Sequence, residues 1–378
     1  RLLAINDLAT GRYPEALERF EVLVETQGDQ PPLHETFRRA LDLELPISFQ
    51  RSFFPLYLEM PILSPLLSLF VLERLMELDP LQEERWLSYA VDRILPGNPA
   101  LAAQWLTGHE SHEEIVQGLE SLEAPLTREQ SMALIEAHLA LGQAAGARES
   151  LNQARDLLKP VHREYYQARI HLLEGDRDSA QEYWTAAHNA ALGDNAYEML
   201  KALGFLAIEL DQPVNALQSL YTAFTAGIPF TAPEASRLIT LTLSYGSLNE
   251  SMKVAEYLHR SYPGEPVYVN NLAYFKFLAG EELDTHVDNM RELVEEYADV
   301  AQYRLTLALG LLKVGRNNEA MRLLQSKTIN WNETSTRGQL IYAAVLSAND
   351  QQLAAEGFIQ NIDLEDLILE EKALIEAL

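Results

Sequence analysis

Residues 305–324 read LTLALGLLKVGRNNEAMRLL. Apolar side chains recur at helical spacing up to Gly315, and a second helical pattern follows it. Glycine readily adopts the left-handed backbone conformation that ends a helix and reverses the chain. The segment therefore predicts two helices joined by a tight turn.

The same turn recurs along the chain at a nearly constant interval. Its central residue is a glycine, an aspartate or an asparagine, the residue types that tolerate a left-handed turn. The turns fall at Gly142, Gly175, Asp211, Gly246, Gly280, Gly315 and Asn349. Successive intervals are 33, 36, 35, 34, 35 and 34 residues, and this regularity predicts a repeated helical hairpin.

Each predicted hairpin carries small residues where its two helices would cross. Five positions after the turn stand Ala147, Ala180, Ala216, Ser251, Thr285, Ala320 and Ala354. Four positions later, on the same helix face, stand Leu151, Trp184, Leu220, Leu324 and Phe358. The preceding helices carry Ala168, Gly204, Ala273 and Ala308. Because one hairpin cannot bury this face alone, neighbouring hairpins are expected to stack.

This pattern resembles the tetratricopeptide repeat. Near the N-terminus, Gly11-Arg12-Tyr13-Pro14-Glu15-Ala16 followed by Phe20 resembles the turn and second helix of that repeat, and Leu75-Met76-Glu77-Leu78-Asp79-Pro80 resembles its ending. Further residues keep the next unit in register: Trp86, Ala90, Gly97 and Ala102. The resemblance implies an all-α, right-handed α-solenoid of antiparallel helix pairs, with about ten units and a C-terminal capping helix. It implies protein–protein interaction as the family's usual role.

The expected organisation is one continuous solenoid with three parts. Residues 1–127 would hold irregular N-terminal units, with insertions at 28–46 and 110–127. Residues 128–362 would form the regular array. Residues 363–378 would form the capping helix, because their leucines and isoleucines recur at helical spacing between glutamates.

Composition excludes several classes of function. The chain has 56 acidic and 29 basic residues, a net charge of −27 and no cysteine. Nucleic acid and anionic membrane surfaces need a basic face, so neither is expected as the main partner. Disulfides, thiolate metal sites and a cysteine nucleophile are excluded. The 22 arginines against 7 lysines suggest a GC-rich bacterial genome.

The segment from Phe53 to Leu72 is long and apolar enough to raise the question of a membrane span. It contains Glu59 and three prolines, at 55, 61 and 65, which are unfavourable in a lipid-exposed helix. A buried helical hairpin is therefore favoured, covered by an inserted helix around Leu33–Leu45. The alternative is that the segment forms a homodimer patch.

No catalytic or metal motif stands out. The sequence has neither a phosphate-binding loop with a Gly-Lys pair nor a G-x-S-x-G nucleophile turn. His109 and His112 are three residues apart rather than the four of a zinc-protease helix, so we expect a solvated helix start there. The prediction is a protein that is not an enzyme and that needs no cofactor or metal.

The first helices of a tetratricopeptide array line a concave groove, and the register places candidate peptide-binding residues there. They are Tyr165, Arg169, Lys201, Phe205, Arg237, Asn270, Tyr274 and Phe277. Three cations among aromatic side chains would suit an extended peptide with acidic and apolar side chains. The alternative is that the aromatic residues are packing residues and the cations form surface pairs with nearby acids.

Two functions remain open at this point. The first is a non-catalytic scaffold that binds a protein or peptide on its concave face. The second is an extracytoplasmic assembly or secretion-accessory protein, tethered by an N-terminal anchor upstream of Arg1. The chain opens inside the expected first helix, which favours such an upstream segment. A cytoplasmic and a periplasm-facing location are both compatible with the sequence.

Overall fold

The chain is all-α among the residues that the computed structural model describes, and the predicted fold class of an all-α helical repeat is confirmed. These are residues 2–27, 31–41, 43, 45–60, 64–122, 124–325, 329–331, 334–360, 362–363 and 367–376. The chain divides into two compact units, Arg1–Ala187 and His188–Leu378. The boundary expected at residue 127 falls inside the first unit.

The first unit is a succession of short helices. They are α1 (Leu2–Ala9), α2 (Tyr13–Gln27), α3 (Pro31–Leu41), α4 (Ile47–Leu58), α5 (Pro65–Leu78), α6 (Glu83–Arg93), α7 (Pro99–Gly108), α8 (His112–Glu120), α9 (Arg128–Ala140), α10 (Ala144–Gln153) and α11 (Pro160–Leu173). A 3-10 helix (Pro80–Gln82) precedes α6. The division between the units lies within α12 (Arg177–Gly193).

The second unit continues the same alternation. Its helices are α13 (Tyr197–Glu209), α14 (Pro213–Thr225), α15 (Ala232–Tyr245), α16 (Leu248–Ser261), α17 (Pro266–Ala279), α18 (Leu283–Glu296), α19 (Ala301–Lys313), α20 (Asn317–Gln325), α21 (Thr336–Ser347), α22 (Gln352–Ile359) and α23 (Leu369–Glu376).

The helices form two layers within each unit. In the first unit α5 contacts α7, α7 contacts α9 and α9 contacts α11, while α2 contacts α4 and α6 contacts α8. In the second unit α17 contacts α19 and α19 contacts α21. Within each unit we call the row of odd-numbered helices from α1 to α21 the odd layer and the row of even-numbered helices the even layer. Most odd helices also contact the even helix that follows, as in α1–α2, α9–α10 and α13–α14, and we call such a pair a hairpin.

Five of the seven predicted turn residues have the expected conformation. Gly142, Gly175, Asp211, Gly280 and Gly315 all have positive φ angles. Gly246 ends α15 as predicted, but its φ angle is −115° and therefore not left-handed. The last turn is centred on Asp350, at φ 60°, and not on Asn349 as predicted.

Asn349 stays in the right-handed region because of its own side chain. Its Nδ2 donates to the Val345 carbonyl at 2.7 Å and to the Asn317 carbonyl at 3.1 Å. The register of the following helix therefore moves by one residue. Ala355 is buried there, whereas the predicted packing residue, Ala354, is exposed.

A second shift corrects the packing position of α18. Thr285 is exposed, and His286 occupies the buried position against α17. The turn contains one extra residue, Glu282, at φ 49°. The ammonium group of Lys276 stabilises this conformation by donating to Glu281 at 2.9 Å and to Glu282 at 3.2 Å. Of the other six predicted packing positions, Ala354 is the exposed one described above. The remaining five are buried as expected: Ala147, Ala180, Ala216, Ser251 and Ala320.

The two segments expected as insertions contain helices of the regular alternation. Helix α3 lies within 28–46 and α8 within 110–127. Glu110 takes a positive φ angle at the turn between α7 and α8, and Gly142 follows about one repeat later along the chain. In chain order, the described helices α1 to α22 make up eleven consecutive pairs, where about ten units were expected.

Helix α3 covers the apolar segment, as the sequence analysis favoured. The Phe37 ring stacks on Phe53, with centroids 5.0 Å apart, and lies 5.4 Å from the Tyr57 ring. Phe20 of α2 completes the cluster at 5.0 Å from Phe37. All four rings are fully buried. None of the described helices has the length and apolarity needed to cross a bilayer.

The closest helix–helix approach in α13–α14 depends on Gly204. A Cβ atom at this position would lie 2.4 Å from Cγ of Leu220 and 3.1 Å from its backbone nitrogen. We therefore expect Gly204→Ala to destabilise the second unit. The overpacking cost of about 1–3 kcal/mol exceeds the gain of about 1 kcal/mol from better helix propensity. The change is measured as a shift in the urea midpoint by circular dichroism.

Gly357 provides the matched control, since it also lies in a helix of the second unit but has open space around the missing Cβ. Gly357→Ala should stabilise by about 0.5–1 kcal/mol. Equal midpoints for the two variants would show that α13 and α14 do not approach as closely as described.

Candidate functional site

A cavity of the first unit opens on its odd layer. It has a volume of about 590 Å³ and lies between α7, α9 and α11, with the start of α8 at its side. Its lining consists of Ala100, Ala103, Gln104, Thr107, His112, Ile115, Glu129, Met132, Ala133, Glu136, Ala137, Ala140, Tyr166 and Arg169. We call it the odd-layer cavity.

Small side chains create the space. Ala133, Ala137 and Ala140 follow each other at helical spacing on α9, so they lie along one side of that helix. Sequence analysis missed them as site residues, although this alanine stripe was a readable signal. Because a methyl group leaves room in front of it, an apolar side chain from another molecule could enter here.

One ion pair forms part of the cavity wall. Arg169 of α11 pairs with Glu136 of α9, and its guanidinium lies 5.5 Å from the Tyr165 ring centroid. Burial by itself would lower the pKa of Arg169, but Tyr165 and Glu136 outweigh it and raise that pKa. The neighbouring Tyr166 has its pKa raised by burial and by Glu136. Arg169 therefore stays charged and Tyr166 stays protonated.

In the second unit, Lys201 also has a carboxylate partner. Its Nζ lies 2.7 Å from Glu234, donates to the Pro229 carbonyl at 2.9 Å and lies 4.8 Å from the Phe230 ring centroid. Burial opposes ionisation of Glu234, yet the hydrogen bonds from Lys201 and Thr231 lower its pKa.

The other two predicted groove residues of α13 and α15 differ in exposure. Phe205 is half-buried, whereas Arg237 is exposed. Arg237 is thus the more accessible of the predicted cations in this unit.

The three predicted site residues on α17 are all buried. Phe277 has no exposed surface and packs in the core beside His286 and Gly310, so we leave it out of the proposed surface. Asn270 and Tyr274 are 3% and 7% exposed. Tyr274 is covered because another helix of the same unit lies on it.

That helix is α23, which the sequence predicted as a terminal cap. It contacts α21 and also reaches back to α17. Its Glu371 accepts hydrogen bonds from the Tyr274 hydroxyl and from Nε of Arg337, the latter at 2.7 Å. Sequence analysis named neither Glu371 nor Arg337 as a site residue, because no spacing pattern predicts a contact between a tail glutamate and an arginine of α21.

The histidine pair near residue 110 has ordinary structural partners. His109 lies 3.0 Å from a Glu73 carboxylate oxygen, and its ring lies 4.5 Å from the Trp105 ring centroid. His112 begins α8. Among the described residues, no group of three or more possible ligands is placed to hold a metal ion.

Part of the apolar segment on α5 stays uncovered. Leu66 and Phe70 are 68% and 56% exposed beside a second cavity of about 420 Å³, which His34 and Arg38 also line. A homodimer through residues 53–72 remains a prediction, now restricted to this side of α5.

The contacts between its own helices identify the architecture. The chain is an all-α helical-repeat protein. No protein-family model matches it, and no curated protein matches it in sequence. Among solved structures, the tetratricopeptide-repeat domain of P58(IPK) is similar over 95% of this chain and 96% of that one, at 12% identity and a TM-score of 0.23.

Proposed function

We propose that this helical-repeat protein is a non-catalytic scaffold that binds another protein, or an extended peptide, along its odd layer. The observation that carries the proposal is the odd-layer cavity. It offers an apolar floor with a few placed polar groups, which is the general character of ligand sites in proteins. An open groove of alanines with one ion pair suits side-chain recognition.

The proposed partner segment carries apolar and acidic side chains. Apolar side chains fill the space in front of Ala133 and Ala137. An acidic side chain of the segment meets Arg169 in the first unit. In the second unit, Lys201 and Arg237 are separate candidate contacts for an acidic segment of a partner. Arg169 and Lys201 already have glutamate partners, so a ligand carboxylate would exchange with or share these bonds. Exposed Arg237 would gain a new partner.

Filling the cavity tests the proposal. Random displayed peptides are selected on the full chain, and the affinities of the recovered peptides are measured by fluorescence anisotropy. Ala133→Phe places a ring in the cavity and should weaken binding by at least ~10-fold, or about 1.4 kcal/mol. Circular dichroism confirms that the variant is folded.

Ala145→Phe is the matched control, because Ala145 is exposed on α10 of the even layer. It should bind the same peptides as the wild type. Peptides that bind Ala133→Phe as tightly as the wild type, or that no longer bind Ala145→Phe, would contradict binding on the odd layer.

A further inference from the structure

The second unit already holds a short helix on its odd layer, and that helix belongs to the chain itself. Helix α23 is eight residues long and contacts α17 and α21. Its Glu371 has no exposed surface. A buried carboxylate is costly unless donors surround it, so the donors around Glu371 define a site.

The site has three donors. The Tyr274 hydroxyl and Nε of Arg337 both donate to Oε1 of Glu371, and the Ile368 backbone N–H donates to Oε2 at 2.9 Å. Burial and the nearby Glu371 raise the pKa of Tyr274 far above its ordinary value, which keeps the hydroxyl protonated. Two of the donors therefore belong to the odd layer, and we call this pair, Tyr274 and Arg337, the carboxylate seat.

Apolar contacts flank the carboxylate seat. Leu367 and Ile362 form a buried cluster with Leu340 of α21, and Leu374 and Ile375 pack against that cluster. Leu374 and Ile375 lie on α23 three and four residues after Glu371, whereas Leu367 and Ile362 precede the helix. An interval of three or four residues is the spacing by which an amphipathic helix lies in a groove.

Helix α23 does not supply a hydrogen-bond partner for every buried polar group on the side of α17 that it covers. Asn270 lies one turn before Tyr274 on the same side of α17 and is 3% exposed. Its Oδ1 atom has no hydrogen-bond partner among the described residues. On the other side, Leu369 of α23 is 78% exposed. An eight-residue helix is also too short to be stable by itself in water.

We propose that the carboxylate seat is a binding site for an amphipathic helix of a partner protein, and that α23 is a resident occupant which this helix displaces. The partner helix would carry a glutamate for Arg337 and Tyr274, with leucine or isoleucine three to four residues to either side. A donor that reaches Asn270 would give it an advantage over α23. The proposal concerns the second unit alone and does not depend on the odd-layer cavity.

The test weakens the resident helix in the full chain and offers its sequence back as a separate peptide. Glu371→Gln removes the charge that Arg337 binds, and Glu370→Gln is the matched control with the same charge change one residue away. The probe is a fluorescein-labelled synthetic peptide of residues 362–378. In the wild type the tethered tail competes at a high effective concentration, so the probe should bind weakly.

The Glu371→Gln chain should bind this probe at least ~10-fold more tightly than the wild type or the Glu370→Gln chain. A probe with glutamine in place of Glu371 should not bind, and adding Arg337→Ala to the Glu371→Gln chain should abolish binding. Equal binding by all chains, or tighter binding by the Glu370→Gln chain, would overturn the proposal.

Hydrogen exchange keeps the outcome clear if Glu371→Gln disturbs folding. Loss of protection confined to α23 shows release of the tail, as expected. Loss of protection in α17 and α21 as well would make Glu371 a structural residue and overturn the proposal. Light scattering tests whether α23 of a second copy occupies the carboxylate seat instead. If it does, the wild type is a dimer, and this outcome would exclude the partner helix.

Discussion

Replacing Phe37 by alanine is expected to cost the first unit about 3–5 kcal/mol, the range for a fully buried aromatic ring. Phe37 is the side chain by which α3 contacts its neighbours, since its ring lies against those of Phe20, Phe53 and Tyr57. The cavity left behind would border three other rigid rings, which limits how far the site can collapse. Urea unfolding followed by circular dichroism measures the loss.

Phe70→Ala is the matched control, because Phe70 belongs to the same apolar region but is mostly exposed. Its effect should stay within about 0.5 kcal/mol. If Phe37→Ala were as mild as Phe70→Ala, α3 would be a surface insertion and not a helix of the core.

Replacing Phe277 by alanine is expected to cost the second unit a similar 3–5 kcal/mol or so. The ring sits where three helices meet. It lies 6.3 Å from the His286 ring of α18, and a Cβ on Gly310 of α19 would come within 2.4 Å of it. The loss is measured as a drop in the urea midpoint, and peptide affinity serves as a second readout.

Tyr245→Ala is the control in the same unit, since Tyr245 is 52% exposed at the end of α15. It should change the free energy of unfolding by about 0.5 kcal/mol or less. A folded, fully stable Phe277→Ala chain with reduced peptide binding would return Phe277 to the binding surface.

The sequence was sufficient to predict the hairpins from residue 128 onward. Glycine and aspartate turns at a fixed interval can be read directly, because few residue types tolerate the backbone that the turn needs. The small residues at the crossing points followed from the same register. The errors at Thr285 and Ala354 are both shifts of one residue. Each is accompanied by side-chain hydrogen bonds at the turn, those of Lys276 and Asn349, which a spacing rule does not contain.

Gly11 has the expected positive φ angle, but two later turns of the N-terminal region were harder to predict because they lack the glycine signal. Glu110 takes the left-handed conformation at the turn between α7 and α8, and glutamate is not a residue type from which that conformation is predicted. Asp79 is followed by a 3-10 helix instead of a glycine turn. The turn at Glu110 was therefore missed, and α8 looked like part of an insertion, whereas the segment that ends at Asp79 was assigned to a repeat.

The candidate sites were predicted in part. The register correctly assigned Arg169, Tyr274 and Lys201 to odd helices. It could not show that Glu136 and Glu234 would pair with the two cations. It also could not show that the tail would cover Tyr274, because an amphipathic terminal helix fits a cap and a groove equally well.

The return of α23 to α17 also has a consequence for folding order. Hairpins in a repeat protein contact their neighbours, and typical links are short, such as the 33 residues between Glu136 and Arg169. The hydrogen bond between Tyr274 and Glu371 closes a loop of 97 residues. The docked tail contacts both Tyr274 and Arg337, so we expect it to dock only after α17 and α21 have formed. Once docked, the tail links hairpins that would otherwise unfold one after another, and we expect them to unfold cooperatively.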